Sequence, residues 1–149
     1  MTGATGFIGS HFVNEANKRG LELTCLKREN SITRVRINKE PRWILDSNNN
    51  DLIESLVGNE ILFHFASTGV SPQKSNWYDL IQFNIVESFN IINQGYKAGI
   101  RKMVIIGTVD EFGFDLNFEK IRHDQKLQPR TPYSSSKAAF FLLMTAFPI

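Results

Sequence analysis

Three glycines at a spacing of three, Gly3, Gly6 and Gly9, punctuate the segment Thr2-Gly-Ala-Thr-Gly-Phe-Ile-Gly-Ser10, and apolar residues at helical spacing follow at once at Phe12, Val13 and Ala16. Few folds accommodate such a run. Glycine lets a strand turn into a helix so tightly that backbone lies against backbone. A helix beginning near Phe7 then aims its free N–H groups and positive dipole end into the turn. That chemistry suits a pyrophosphate; a glycine-rich turn that binds nothing is the competing reading. Gly20 stops the helix, and Leu21 to Leu26, with Cys25 inside it, reads as a short apolar strand.

The rest of the chain keeps alternating. A polar stretch, Glu29 to Asn50, holds one strand candidate around Trp43 to Leu45. Asp46 after it could meet an adenine edge, or serve as a turn or cap residue before the Asn run. Asp51 to Val57 predicts a short amphipathic helix closed by Gly58, and Ile61 to Ala66 (Ile-Leu-Phe-His-Phe-Ala) a buried strand. The strand ends in small residues, Ala66, Ser67 and Gly69, which leave room for a ligand at a strand's carboxyl end. His64, inside the apolar run, reads as a packed core histidine rather than a catalyst. Val70 to Asp79 is expected to be a loop. Leu80 to Ala98 is expected to be a long helix with Ile81, Ile85, Phe89, Ile92 and Tyr96 on its apolar side; Asn84 lies on it, with an exposed polar position as one reading. Met103 to Ile106 predicts another buried strand, leading into Gly107 and Thr108. Strands alternating with helices argue for βαβ units, and so for an α/β fold with a doubly wound parallel sheet and helices on both faces. Right-handed crossovers would set the glycine turn, Ala66, Thr108 and Tyr133 on one edge of that sheet.

Near the C-terminal end stands Thr131-Pro-Tyr-Ser-Ser-Ser-Lys137, which runs into Ala-Ala-Phe-Phe-Leu-Leu-Met. On a helix Tyr133 and Lys137 share a face at i, i+4, so an ammonium near the phenol would favour its ionised form. An accidental pair on a solvated helix face is the alternative. Lys27 and Arg28 follow the second strand, about 20 residues beyond the glycines, where dinucleotide folds place the residue that reads the adenosine ribose. An acidic residue there suits the 2′-hydroxyl of NAD, whereas cations tolerate the 2′-phosphate of NADP. The pair therefore leans toward NADP, with solvent-facing loop charges as the other reading.

Composition narrows the function classes. The 149 residues are 42% hydrophobic and 21% charged, ordinary for one globular domain. A net charge of +2 from 17 basic and 15 acidic residues, without long blocks, gives no electrostatic case for nucleic acid or a membrane surface. One cysteine, Cys25, excludes an intrachain disulfide and a thiolate zinc cluster, so no metal is expected. No leader pattern and no apolar run near the ~20 residues of a membrane span are seen, and the expected location is the cytoplasm.

Taken together, Thr-Gly-Ala-Thr-Gly-Phe-Ile-Gly at 2 to 9, His-Phe-Ala-Ser at 64 to 67, Gly-Thr-Val-Asp-Glu-Phe-Gly at 107 to 113 and Tyr-Ser-Ser-Ser-Lys at 133 to 137 resemble the extended short-chain dehydrogenases/reductases. More narrowly, the chain resembles the NAD(P)-dependent epimerase/dehydratase family. Thr108 precedes Tyr133 by 25 residues, as in that family's nucleotide-sugar epimerases. The resemblance implies a Rossmann-type NAD(P)-binding domain across residues 1–149. It implies hydride transfer between nicotinamide and a sugar carbon, with Thr108, Tyr133 and Lys137 as the catalytic set. It assigns the cofactor to Gly3, Gly6, Phe7, Ile8 and Gly9, to Phe65, Ala66 and Ser67, and to Asn84, Tyr133 and Lys137. A nucleotide sugar is the implied substrate, and a homodimer a possible state of the full-length form. The alternatives are an NADP-dependent reductase of a non-sugar carbonyl, and an inactive dinucleotide-binding protein.

Three departures qualify the likeness. Dehydratases of the family carry Asp-Glu directly after the active Thr, whereas Val109 intervenes here and sets Asp110-Glu111 one place out of register; dehydration is thus the weaker choice. Lys27 stands where NAD-reading aspartates do. The family's chains are about twice as long, so the domain is expected to lack most of its first strand and the C-terminal substrate-binding part. A polypeptide of these 149 residues alone is expected to fold poorly and show no oxidoreductase activity.

Overall fold

A computed structural model of the chain describes residues 1–45, 52–70, 76–113 and 120–148. The sequence-based readings at Asp46 and Asp51 and the 71–75 part of the loop expected from Val70 to Asp79 lie outside the described residues. Two compact units are present, Met1–Ala66 with Asn90–Ile105, and Ser67–Phe89 with Ile106–Pro148.

The first unit is a parallel α/β assembly. Helix α1 (Phe7–Lys18) leads to β1 (Thr24–Lys27), β2 (Arg42–Leu45), α2 (Ile53–Leu56) and β3 (Ile61–His64). β1 pairs with β2 in parallel, Cys25 opposite Trp43. β3 pairs in parallel with β4 (Lys102–Ile105), Phe63 opposite Val104. Met1 and Thr2 join the two pairs. The Met1 amino group donates to Thr24 O, Leu26 N donates to Met1 O at 2.9 Å, Thr2 N to Phe63 O at 2.9 Å and Phe65 N to Thr2 O at 3.3 Å. Met1 thus spends its N–H and C=O groups on β1 and Thr2 its own on β3, in the slanted pattern of a parallel ladder.

Period-two alternation sends successive strand residues to opposite faces. Val13 of α1 packs with Ala4, Cys25 and Ile37 on one face, with Phe12, Trp43, Phe63 and Phe65 against them. The rings of Phe12, Phe63 and Phe65 form an edge-on trio, Phe12 standing 4.7 Å from Phe63 and 5.2 Å from Phe65. On the other face Thr24, Leu26, Ile44 and Leu62 meet Leu52, Leu56 and Ile91 around a small cavity. Helices therefore cover both faces, as the alternation predicts.

β1 begins three residues later than its apolar pattern, and the reason is local. Leu21 N donates to Ala16 O and Gly20 N to Asn17 O, the paired closure of a Schellman motif, so Leu21 belongs to the helix end. The polar segment between β1 and β2 is anchored to α1 from below: Asn14 Nδ2 donates to Arg36 O, Asn17 Nδ2 to Lys39 O, and Asn38 N to Asn14 Oδ1.

In the second unit the helix expected from Leu80 starts earlier. Asn76 caps α3 (Trp77–Ile81) by accepting from Asp79 N at 2.9 Å. α3 continues through a π-helical stretch, Gln82–Glu87, into α4 (Ser88–Lys97). Ser88 Oγ donates to Phe83 O, five residues back, which supports the widened turn. A short 3₁₀ turn (Val109–Phe112) and α5 (Pro132–Thr145) complete it.

Candidate active site

The glycine turn is built by close backbone approach. Gly3 sits at φ 70°, and a Cβ there would stand 2.6 Å from the Phe65 carbonyl carbon. A Cβ on Gly9 would come within 2.0 Å of Gly3 O, so α1 packs directly onto the turn. Gly6 is the N-cap of α1 and supplies no side-chain acceptor. The first-turn N–H groups of Phe7, Ile8 and Gly9 are among those a helix cannot satisfy internally, and the Phe7 and Ile8 side chains stand 61% and 59% exposed beside them. Thr2 ties this turn to β3: Ala66 N donates to Thr2 Oγ1 at 3.2 Å, and Thr2 Oγ1 lies 3.0 Å from His64 Nδ1. With Oγ1 accepting from Ala66, its own proton is available to the imidazole. His64 is a core residue, 2% exposed, as the sequence indicates.

Lys27 is not a free loop charge. It is the last residue of β1, and its Nζ lies 4.7 Å from the centroid of the Trp43 ring, whose Nε1 donates to Glu40. Arg28 next to it is exposed. Arg34 N donates to Thr5 O at 2.9 Å, which brings a third cationic residue's backbone onto the glycine turn.

In the second unit Thr131 caps α5, accepting from Ser134 N at 3.1 Å while the Ser134 hydroxyl reaches back, and Pro132 occupies the first turn. Tyr133 is half-buried in that first turn and Lys137 is buried one turn on. Lys137 Nζ donates to Ile106 O at 2.6 Å. Burial pushes the Lys137 ammonium below the ordinary lysine range, and the Glu111 charge raises it in part. Thr108 caps the 3₁₀ turn: its Oγ1 accepts from Asp110 N, and its own N–H donates to Glu111 Oε1 at 2.8 Å. An accepting hydroxyl keeps its proton for another oxygen.

Asn84 corrects the reading of an exposed position. It is 1% exposed, within the π-helical stretch. Thr68 N donates to its Oδ1 at 2.8 Å, and its Nδ2 donates to Thr68 O at 3.0 Å and to Ser136 Oγ at 3.0 Å. Ser136 Oγ donates in turn to Tyr133 O at 2.7 Å. The amide is thereby committed to protein partners, and it links the Ser67–Gly69 segment to the turn of α5 that carries Tyr133. Ser136 and Glu111 were not singled out from sequence. Ser136 lies inside the Tyr-Ser-Ser-Ser-Lys run, but only its bond to the distant Asn84 distinguishes it from its neighbours. Glu111 was visible only as an out-of-register acid.

A glycine turn opening a helix beside a parallel sheet, with a capped Tyr-x-x-x-Lys helix in the second unit, defines a dinucleotide-type α/β protein. The comparisons are narrower. Residues 1–148 match the NAD dependent epimerase/dehydratase family, and the chain belongs to it. It is 32% identical over 81 residues to the dTDP-D-glucose 4,6-dehydratase of Mus musculus, covering 54% of this chain and 22% of that protein. It is 30% identical over 122 residues to the UDP-N-acetyl-alpha-D-glucosaminuronate decarboxylase of Bacillus cytotoxicus, covering 76% of this chain and 37% of that one. Among solved structures, MoeE5 in complex with UDP-glucuronic acid and NAD superimposes with a TM-score of 0.83 at 25% identity, over 97% of this chain and 47% of that one. The UDP-glucose 4-epimerase of Thermotoga maritima, solved with UDP-glucose, gives 0.80 at 22% identity over 97% and 48%, a likeness of fold alone. The chain spans half or less of the length of each of these proteins. Among the described residues no helix is long and apolar enough to cross a membrane, and no His, Cys, Asp and Glu group could hold a metal ion.

Proposed function

We propose that the protein is an NAD(P)-dependent oxidoreductase or epimerase acting on a nucleotide sugar, with Thr108, Tyr133 and Lys137 as its catalytic set. The observation that carries this reading is the capped start of α5, where a half-buried Tyr133 stands one turn before a Lys137 that is buried and held by Ile106 O. Outside catalysis a buried lysine on a neutral carbonyl is a costly choice.

The glycine turn fits a dinucleotide. Gly6 leaves the first-turn N–H groups of Phe7, Ile8 and Gly9 without a side-chain cap, and the space a Cβ would need at Gly3 and Gly9 is already filled by backbone. Those N–H groups would hold the pyrophosphate, with Phe65, Ala66 and Ser67 bordering the cofactor and Lys27 and Arg28 nearest the ribose. A bound nicotinamide supplies the hydride chemistry. Tyr133 takes and returns the proton of the reacting hydroxyl, Thr108 donates a hydrogen bond to the same oxygen, and Lys137 presents its ammonium to the tyrosine and the ribose. Acid/base work of this kind is worth ~10² to 10⁴ in rate. Asn84 acts through Ser136 and Thr68 rather than on substrate. Relatives solved with UDP-sugars support the nucleotide sugar as substrate and NAD as cofactor; a homodimer of the full-length protein belongs to the same reading.

The test offers UDP-glucose and UDP-glucuronic acid with NAD and with NADP, and compares the protein with Tyr133→Phe. Turnover is expected to fall by about 10² or more while cofactor affinity holds. Activity within about threefold of the parent would remove Tyr133 from the mechanism.

A further inference from the structure

Among the described residues of the second unit two ionisable groups are buried, and the mechanism above uses one of them. Glu111 is 3% exposed and Lys137 is 5% exposed. Lys137 Nζ is given a carbonyl, Ile106 O, which accepts its hydrogen bond but brings no countercharge. Burial without one lowers the pKa of an ammonium. Among the described residues no direct ion pair reaches Lys137.

Glu111 is the acid left over when the chain is laid beside the dehydratases, and its surroundings show why it points inward. Its carboxylate accepts the Thr108 N–H through Oε1 at 2.8 Å. It lies flat on the Gly107 backbone, where a Cβ would come within 3.1 Å of Oε1 and 3.5 Å of Oε2. Its own carbonyl accepts from Gln128 N at 2.8 Å, which pins the turn to the segment entering α5. A Cβ at position 107 would require the carboxylate to give by a few tenths of an ångström, so the turn is fitted around glycine there.

We propose that Glu111 is a positioning residue of the catalytic set: its carboxylate fixes the Thr108 turn and is the countercharge that keeps Lys137 an ammonium. Among the described residues, the segment entering α5 carries Lys120, Arg122, His123, Asp124, Lys126 and Arg130, with Arg122 paired to Asp124. On α5 itself only Tyr133 shares the Lys137 face. The π-helical stretch carries Glu87, the 3₁₀ turn carries Asp110, and α3 carries Tyr78 and Asp79, the last hydrogen-bonded to Asn76 Nδ2. Lys137 Nζ is held at Ile106 O and the Glu111 carboxylate rests on the adjoining Gly107, so the two buried charges flank one stretch of backbone, and the Glu111 charge raises Lys137 against its burial. The assignment rests on the proposed function only in giving Lys137 a catalytic role.

Competitive acetylation of Lys137 across pH, quantified by mass spectrometry against Lys120 and Lys126 as internal references, reads the Lys137 protonation midpoint without substrate or cofactor. Glu111→Gln retains an acceptor for Thr108 N–H and removes the charge; its midpoint is expected to fall by about one pH unit. Glu111→Asp retains the charge on a shorter stem and is expected to keep the parent midpoint while melting at a lower temperature. A Glu111→Gln midpoint equal to the parent's would reduce Glu111 to a cap and overturn the proposal. Should Glu111→Gln fail to fold, Glu111→Asp decides alone, because a fall of about one unit there would show that charge is not what matters. NADH titrations on the same variants form a second arm: Glu111→Gln is expected to lose affinity at lower pH than the parent. Absence of NADH binding in every variant would count against the proposed function and leave the acetylation result standing.

Discussion

Asn84→Ala tests the brace that joins the Ser67–Gly69 segment to α5. The substitution removes three hydrogen bonds, from Thr68 N and to Thr68 O and Ser136 Oγ. Each neutral bond contributes about 1 kcal/mol net, and an orphaned buried group costs about 1–3 kcal/mol. Thr68 is half-buried, so water can reclaim its backbone groups; Ser136 is 3% exposed but keeps its bond to Tyr133 O. The expected loss is therefore about 2–4 kcal/mol, of which the three bonds alone account for about 3 kcal/mol. With a urea slope of about 2 kcal/mol/M the midpoint would move by about 1–2 M. The two units carry one tryptophan each, Trp43 in the first and Trp77 in the second. In a Trp43→Phe background fluorescence reports Trp77, and the shift is expected in that signal. Ser136→Ala removes one bond and should cost about 1 kcal/mol, with a coupling to Asn84→Ala of similar size in the double mutant. Asn84→Asp keeps the acceptor for Thr68 N but turns both donors into a carboxylate facing Thr68 O, and should be no more stable than Asn84→Ala. A loss below about 0.5 kcal/mol for Asn84→Ala would refute the reasoning, since surface substitutions fall in that range.

Gly9→Ala would drive a methyl to within 2.0 Å of Gly3 O, so a chain that still folds should show NADH affinity reduced at least about tenfold by fluorescence titration. Lys27→Asp, which removes a cation held over Trp43, is expected to weaken NADP relative to NAD; an unchanged ratio would take Lys27 out of the site. Thr131→Ala removes the cap of α5 and should cost about 1 kcal/mol in urea unfolding. Burial pushes the Cys25 thiol from its ordinary 9.0 up to about 11, so the unfolded chain releases that proton first and the native state loses stability as pH rises between the two values. Cys25→Ala should lessen that alkaline loss by roughly 2–3 kcal/mol, and equal pH slopes in both proteins would refute it.

What could be read from sequence was what repeats locally. The glycine turn, the strands at Ile61 and Met103 and the helix at Tyr133 declare themselves through spacing and caps that lie within a few residues of one another. The misplaced start of β1 was a conflict between two local rules: Leu21 fits an apolar strand run but serves the helix end after Gly20. The start of α3 was legible in principle, since Asn76 and Asp79 stand at cap spacing. Asn84 and Glu111 were not. A polar residue at helical spacing reads as exposed unless something distant satisfies it, and the satisfying groups here are 16 and 52 residues away from Asn84.

The same limit bears on the acid that sits out of register. Sequence compares Glu111 with carboxylates that stand directly after the active threonine, and by that comparison it is displaced and idle. In the structure its carboxylate turns back to accept the Thr108 N–H. On a 3₁₀ turn the third residue lies beneath the cap, so a Glu at that place turns back onto Thr108 N and Gly107 instead of outward to a substrate. A carboxylate one residue earlier, at Asp110, has its own N–H tied to Thr108 Oγ1 and remains half-exposed. Moving the acid back into register, by Val109→Asp with Glu111→Gln, would place a carboxylate beside Thr108 and take the countercharge from Lys137. The expected outcome is a Lys137 acetylation midpoint that falls as in Glu111→Gln alone, because a carboxylate at the 61% exposed position 109 is screened by water. A midpoint restored to the parent's by the Asp at 109 would show that any nearby acid suffices and that the burial of Glu111 is incidental.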